Sequence, residues 1–397
     1  MVSVHEQYEA YPYPARDPAD EAKRLIVGSP SHPFEIDHWL FGGQRDWSKP
    51  LRALVAGGGT GDGLIQLAAI LTAAKAPYDI TYIDLSVASR EIAEARAKAR
   101  GLTGITFVTG SLLDAADYGP FDYIDCCGVL HHLPDPVAGF AALRAALAPG
   151  GGLGFMVYAP YGRSGVYPLQ EAFGTLFGTL GPEDRLKQAK AIMARLAKGH
   201  PFAVNTVLRD HRDSDAGFYD LLLHSQDQAY SVKALIDTLD AGGWRLASFT
   251  VPALYDPARY GADASGLDPV KAMDVAEKLC GTIRTHVAYA VPKEDDRPAP
   301  DPAKRSLVPR LRGIPAHALA QSAAKQKPLT MHLAERDAPL VLPRDCAKML
   351  AAIDGKRDIG AIAAGQKLDP LEFNRRWARV SRELEAWGVL TYSRLGL

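Results

Sequence analysis

The chain has 397 residues, 47% of them hydrophobic, and its 45 Lys and Arg nearly balance 46 Asp and Glu for a formal net charge of −1. That is enough apolar material for a large core and more than one domain, and too even a charge for the basic footprint that a nucleic acid demands. The opening MVSVHEQYEAYPYPARD lacks the basic and apolar regions of a signal peptide, and no apolar run is long enough for a bilayer, so a cytoplasmic protein with no membrane partner is expected.

In chain order, residues 1–50 read as an N-terminal arm. Within it Tyr8, Tyr11 and Tyr13 interleave with Pro12 and Pro14 ahead of Arg16, a stiff polyproline-like strap suited to a lid or to packing on a sheet edge. LRALVAG (51–57) is an apolar strand ending in glycine, and the following helix places Leu64, Ile65, Leu67, Ala68 and Leu71 on one face. YDITYIDL (78–85) is a second strand, followed by a helix that Ser86 caps and Gly101 stops. ITFVTG (105–110), FDYIDCCGV (121–129) and LGFMVYAP (153–160) are further strands, with Asp135 and Pro136 opening the helix between the last two. The alternation lapses over 161–230, read as a helical cap inserted over the sheet's ligand edge, and then resumes to 292. The pattern predicts an α/β, Rossmann-like, doubly wound sheet over 51–292.

Residues 293–328, charged and proline-rich, read as a linker. Beyond it, 329–397 reads as a small helical or winged-helix-like module, in which Phe373, Trp377, Val380, Leu384 and Trp387 share one helical face before Gly388 and a terminal strand. Cys126 and Cys127 are adjacent and Cys280 and Cys346 isolated, which is neither a disulfide framework nor a metal spacing.

The first chemical signal is VAGGGTGDG, with glycines at 57, 58, 59, 61 and 63. A phosphate-binding P-loop would need Lys and Ser or Thr after the last glycine, and the chain continues through Leu64. A dinucleotide turn would need a third glycine at 62, where Asp62 would repel a pyrophosphate. A phosphate-free, cationic nucleoside fits better, and S-adenosylmethionine (SAM) is one. Asp84 at the second strand's tip can accept from ribose hydroxyls, and Asp114 in GSLLD can reach an adenine amine.

These motifs, with FDYIDCCGVLHHLPDP and LAPGGGLGFMVY, resemble those of the class I SAM-dependent methyltransferases, of the type 11/12 kind, over about residues 50–160. The resemblance implies a seven-stranded sheet with a reversed last strand. It also implies SAM contacts from Gly57, Gly58, Gly59, Gly61, Asp84, Leu85, Ser111, Leu112, Asp114, Cys127 and Gly128, with the glycines at the methionine end. Ala56 stands where many members carry an acid, and Asp62 is the substitute partner considered for the SAM amino group. YEAYPYP is also similar to N-terminal segments of bacterial methyltransferases that lie over the SAM pocket.

Methyl transfer is an in-line displacement that mainly requires placement of the nucleophile. His131, His224 and Tyr11 are the catalytic candidates, with His132 a further base, and Tyr13, Arg163, Tyr167 and Tyr230 the candidates for holding the acceptor. Each has a structural alternative: a strand cap for the histidines, a salt bridge for Arg163. The adjacent histidines are poor zinc ligands if extended, since neighbours then point opposite ways, and no metal is expected. The Asn/Asp-Pro-Pro-Tyr turn of amide and exocyclic-amine methyltransferases is missing, which disfavours DNA adenine and glutamine. The expected activity is methylation of an O, N or S nucleophile on a small molecule, with a polypeptide gripped by the C-terminal module as the alternative and a homodimer left open.

Overall fold

The computed structural model describes residues 3–334 and 336–396. Seven strands form one sheet: β1 (Leu51–Ala56), β2 (Tyr78–Asp84), β3 (Ile105–Thr109), β4 (Phe121–Cys127), β5 (Leu147–Tyr158), β6 (Trp244–Phe249) and β7 (Thr285–Pro292). Their order is β3-β2-β1-β4-β5-β7-β6, with β7 antiparallel to both its neighbours and the pairs from β3 to β5 parallel. The expected sheet and its reversed strand are both present.

Side-chain alternation explains why these strands are apolar throughout. Leu54, Ile124, Phe155 and Ala288 point to one face, where they meet Phe140 and Leu143 of the helix Pro136–Ala145 and Leu235 and Leu239 of the helix Val232–Ala241. Ala53, Val55, Ile80, Tyr123 and Tyr289 point to the other, against Leu64, Leu67 and Leu71 of the helix Asp62–Ala73 and Ile36 and Leu40 of the helix Pro33–Phe41. A sheet buried on both faces needs apolar residues at both phases.

β5 begins at Leu147, six residues before the expected Leu153. Its added stretch runs through Gly151 and Gly152, where a Cβ would stand 2.9 Å from the Asp122 carbonyl oxygen and 2.5 Å from Leu40 Cδ2. The glycines therefore let neighbouring chain lie close to the strand rather than only stopping the preceding helix.

The insertion carries its own core of Val166, Leu169, Phe173, Leu186, Phe202, Phe218 and Leu222, drawn from helices between Val166 and Leu222. The segment read as a linker is structured in its second half, which corrects that expectation. β8 (Pro309–Leu311) pairs antiparallel with β11 (Leu390–Tyr392), and the helix Ala316–Lys325 buries Leu319 and Ala323 beside Trp377 and Leu384. A hairpin of β9 (Leu329–Leu333) and β10 (Arg336–Leu340) completes this C-terminal unit.

The unit is tied to the N-terminal region. Asp37 accepts from Ser393 Oγ (2.7 Å), the Arg394 amide (3.2 Å) and Trp47 Nε1 (2.9 Å), and His38 Nδ1 accepts from the Tyr392 amide (3.1 Å). Gly43 has φ +63 before it at Gly42 and +70 at its own position, and a Cβ there would lie 2.7 Å from Tyr392 Cβ, so the two segments pack backbone to backbone.

On β4, Asp125 is 2% exposed and accepts from Tyr123 (3.2 Å) and, at short range, from Ser31. Burial pushes its pKa up to about 6. A folded-state pKa above the unfolded value near 4 means that this group's contribution is fully present below about pH 4 and is lost as pH rises through about 6, by roughly 3 kcal/mol at 1.36 kcal/mol per unit. Asp125→Asn should therefore stabilise the protein at pH 7.5 and confer no such gain at pH 4. Denaturant midpoints at the two pH values check this, and a pH-independent difference would refute it.

Candidate active site

The tips of β1, β2, β3 and β4 stand side by side, as the parallel register requires. After β1 the chain turns through Gly57 (φ +65), Gly59 (φ +51) and Gly61 (φ +96) into the helix at Asp62. Left-handed backbone at three positions selects glycine. Gly58 is selected by space instead, since a Cβ there would fall 2.3 Å from the Tyr82 ring.

Asp84, at the end of β2, accepts from the Gly59 amide (2.7 Å) and the Ser86 amide (2.9 Å). Burial raises its pKa, with these two donors opposing the shift. Each carboxylate oxygen retains a further lone pair for a ligand hydroxyl. Leu85 beside it is 46% exposed. After β3, Ser111 caps the turn Leu112–Asp117, and Asp114 is exposed. Leu112 is buried in the core while Leu113 is 50% exposed, so the apolar side chain free to meet a ligand there is Leu113, not Leu112. At the tip of β4, Cys127 keeps accessible surface although protein surrounds it closely enough to push its thiol pKa up, and Gly128 follows with φ +83.

Asp62 is not free to receive an amino group. Arg16 donates to it from Nε (2.9 Å) and Nη2 (2.6 Å), and Arg96 from Nη1 (2.8 Å). Burial would raise its pKa, but the two guanidinium groups outweigh that and hold it below the ordinary carboxylate range. Arg96, 1% exposed, also donates to Glu21 (2.6 Å) and to the Thr60 carbonyl (2.7 Å). This network straps the arm across the glycine turn, where Thr60 Oγ1 donates to the Pro14 carbonyl (2.7 Å). A Cβ on Gly59 would come within 2.8 Å of the Tyr13 carbonyl oxygen.

The arm differs from a polyproline strap over its first part. Val4–Ala10 is a helix that Ser3 and Glu6 cap reciprocally, and its phase decides which tyrosine enters the site. Tyr8 does so, donating to Asp220 (3.0 Å) and standing 3.4 Å from His224 Nε2. Tyr11 instead stacks on Tyr219 of the insertion, ring centroids 5.1 Å apart.

Beyond β4 the turn Leu130–His132 is a 3₁₀ helix, so His131 and His132 do not point oppositely as an extended pair would; their ring centroids are 4.1 Å apart. His131 lies 3.8 Å from the Tyr158 ring, and His132 stacks on His224 at 3.7 Å. Burial lowers the pKa of His131 and His224 well below the ordinary value, keeping both neutral. Asp220, from the insertion helix Asp215–Leu222, accepts from Tyr158 (2.9 Å) as well as Tyr8. Neither Asp220 nor Asp227 is marked by any local motif, since both reach the site through the tertiary fold of the insertion.

Three acceptor candidates are committed elsewhere. Arg163, 3% exposed, donates to Asp227 (2.9 Å) and Tyr167 (3.1 Å) and lies 3.5 Å over the Tyr158 ring. It braces the pocket, and Tyr167 serves that brace. Tyr230 is 6% exposed within the main core, its hydroxyl accepting from Gln228 and its amide bonded to the Tyr158 carbonyl (2.9 Å). Tyr13, within the arm, is half-buried, and desolvation raises its hydroxyl pKa.

The sheet order, the glycine turn and the acid on β2 define a nucleoside-binding sheet of the class I methyltransferase topology. Residues 54–153 match the family model of a methyltransferase domain. Over that segment, a minority of its length, the chain is similar to methyltransferase domains. A protein of Synechococcus sp. (strain ATCC 27144 / PCC 6301 / SAUG 1402/1), described as uncharacterized, is 31% identical over 265 residues, or 65% of this chain and 62% of that relative, so the likeness spans less than two thirds of the relative's length. PKMT2 from Rickettsia typhi shares the fold at 15% identity and a TM-score of 0.62, over 94% of this chain and 77% of that one. Its complex with AdoHcy shares it at 15% identity and 0.58, over 91% and 75%. Among the described residues no helix is long and apolar enough to cross a membrane.

Proposed function

We propose that this protein transfers a methyl group from SAM to a nucleophile on a small-molecule acceptor held in the hollow between the β4 tip, the N-terminal arm and the insertion. In this reading Gly57, Gly58, Gly59 and Gly61 floor the methionine end, Asp84 accepts from the ribose hydroxyls, Leu85 and Leu113 flank the adenine, and Cys127 and Gly128 lie under the sulfonium. The observation that carries it is the enclosure: Tyr8, Tyr158, His131, His132, His224 and Asp220 come from four separate segments and pack into one buried polar cluster, which would wall the proposed chamber. Such a chamber suits a compact acceptor, whereas a folded polypeptide surface would need an open approach. Four free cysteines suit work in the reducing cytoplasm.

His131 is the polar side chain nearest along the chain to the β4 tip, and neither of its ring nitrogens has a partner, so it is the group placed to meet the acceptor. His131→Ala should slow methyl transfer about 100-fold, within the range for losing a positioned acid or base, while the SAM Kd stays within about threefold. The assay is incorporation of label from SAM into fractionated lysate separated into metabolite and protein pools. Label confined to the protein pool would overturn the small-molecule reading in favour of a polypeptide acceptor, with the C-terminal unit as its grip.

A further inference from the structure

His131 and His132 are 1% and 5% exposed, and the Asp227 side chain is fully buried. One ligand atom from each lies within 4.8 Å of the other two. Among the described residues, the buried side-chain atoms without a hydrogen-bond partner include both ring nitrogens of His131, Nε2 of His132 and Oδ1 of Asp227. A buried polar atom left unpaired costs about 1–3 kcal/mol, so a close cluster of residues that holds several of them calls for an occupant.

In His132 and Asp227 the other side-chain atom is already engaged, which leaves the unpaired ones as the available ligands. His132 Nδ1 donates to the Gln226 carbonyl (2.8 Å), which fixes the proton there and leaves Nε2 as a bare lone pair. A backbone carbonyl behind one ring nitrogen is the usual support of a metal-bound histidine. Asp227 Oδ2 accepts from Arg163 (2.9 Å) and Gln170 (2.9 Å), which leaves Oδ1. A neighbouring set, His132 with Asp220 and His224, is gathered as closely. It is one ligand short: the Gln226 amide donates to His224 Nδ1 (3.0 Å), placing that ring's proton on Nε2, and two tyrosines already donate to the Asp220 oxygens.

We propose that His131, His132 and Asp227 bind one divalent cation of borderline hardness, of the Zn²⁺, Co²⁺ or Ni²⁺ kind. Two imidazoles and one carboxylate suit these ions better than Mg²⁺ or Ca²⁺, which prefer oxygen. Three protein ligands leave a fourth position open towards the chamber. There an acceptor's heteroatom can bind the ion and lose its proton more readily. With the ion bound, His131 is its ligand and the ion, in place of the imidazole, meets the acceptor; the site otherwise relies on the proposed function only for the name of that chamber.

The test is titration of the chelator-treated, full-length protein with Co²⁺, followed by its visible ligand-field bands and by displacement with Zn²⁺. One equivalent should bind. His131→Ala and His132→Ala should each weaken binding about tenfold or more. Asp220→Asn should leave it unchanged. SAM titration of the same samples, with circular dichroism, reports separately on the methyltransferase reading and on folding. Absence of a one-to-one Co²⁺ spectrum, or a spectrum that survives both histidine substitutions, would overturn the proposal. So would loss of binding in Asp220→Asn with retention in His131→Ala, which assigns the ion to the other set.

Discussion

Asp84→Ala should raise the SAM Kd by 100- to 1,000-fold, which calorimetric titration reads directly. A carboxylate at this tip would accept two ribose hydroxyls through charge-assisted bonds, each worth about 1.5–3 kcal/mol, and about 3–4 kcal/mol corresponds to that loss. The same carboxylate also fastens the turn through the Gly59 amide (2.7 Å), so its removal takes away both a ligand contact and the support of the loop beneath the methionine end. Asp84→Asn separates the two: its amide oxygen keeps one acceptor, and it should bind SAM more weakly than the parent but more tightly than the alanine variant. Parent-like affinity in Asp84→Ala would remove the ribose assignment.

The second large effect is on stability. Arg96→Met should cost about 3–5 kcal/mol, the range for breaking a buried ion pair by removing one partner. The guanidinium serves Glu21, Asp62 and the Thr60 carbonyl at once while 1% exposed, and methionine fills its volume but satisfies none of them. Glu21 would retain only Arg100, and Asp62 only Arg16. Because these pairs fasten the arm over the glycine turn, cleavage within residues 11–24 under limited proteolysis should rise together with the fall in the denaturant midpoint. A midpoint within about 1 kcal/mol of the parent would show that the network contributes little.

Much of the sheet is legible in the sequence because its signal is local. β1 to β4 have five to seven residues, each soon followed by a glycine or a capping serine, with helical turns between them, and the glycine turn with Asp84 at the next tip marks the ligand edge. The fate of Asp62 is not local. It depends on Arg16 and Arg96, 46 and 34 residues away, which turn an unoccupied carboxylate into a structural one. The tyrosine that enters the chamber is set by helical phase, and seven residues capped by Ser3 are too few for periodicity to display it. β8 has three residues, and the helix Ala316–Lys325 buries only Leu319, Ser322 and Ala323, so neither rises above the charged, proline-rich background of its neighbourhood. The acids of the chamber, Asp220 and Asp227, come from an insertion whose course over the sheet no pattern specifies.

The pocket around Asp37 has a consequence for biosynthesis. Ser393 closes it from 356 residues further along the chain. At about 5–20 residues per second, the ribosome needs roughly 20–70 s to travel that far. A helix Pro33–Phe41 seated during that interval would hold a desolvated carboxylate short of the Ser393 and Arg394 donors, which favours a final seat against the sheet late in assembly, after the β1–β7 scaffold has had time to form.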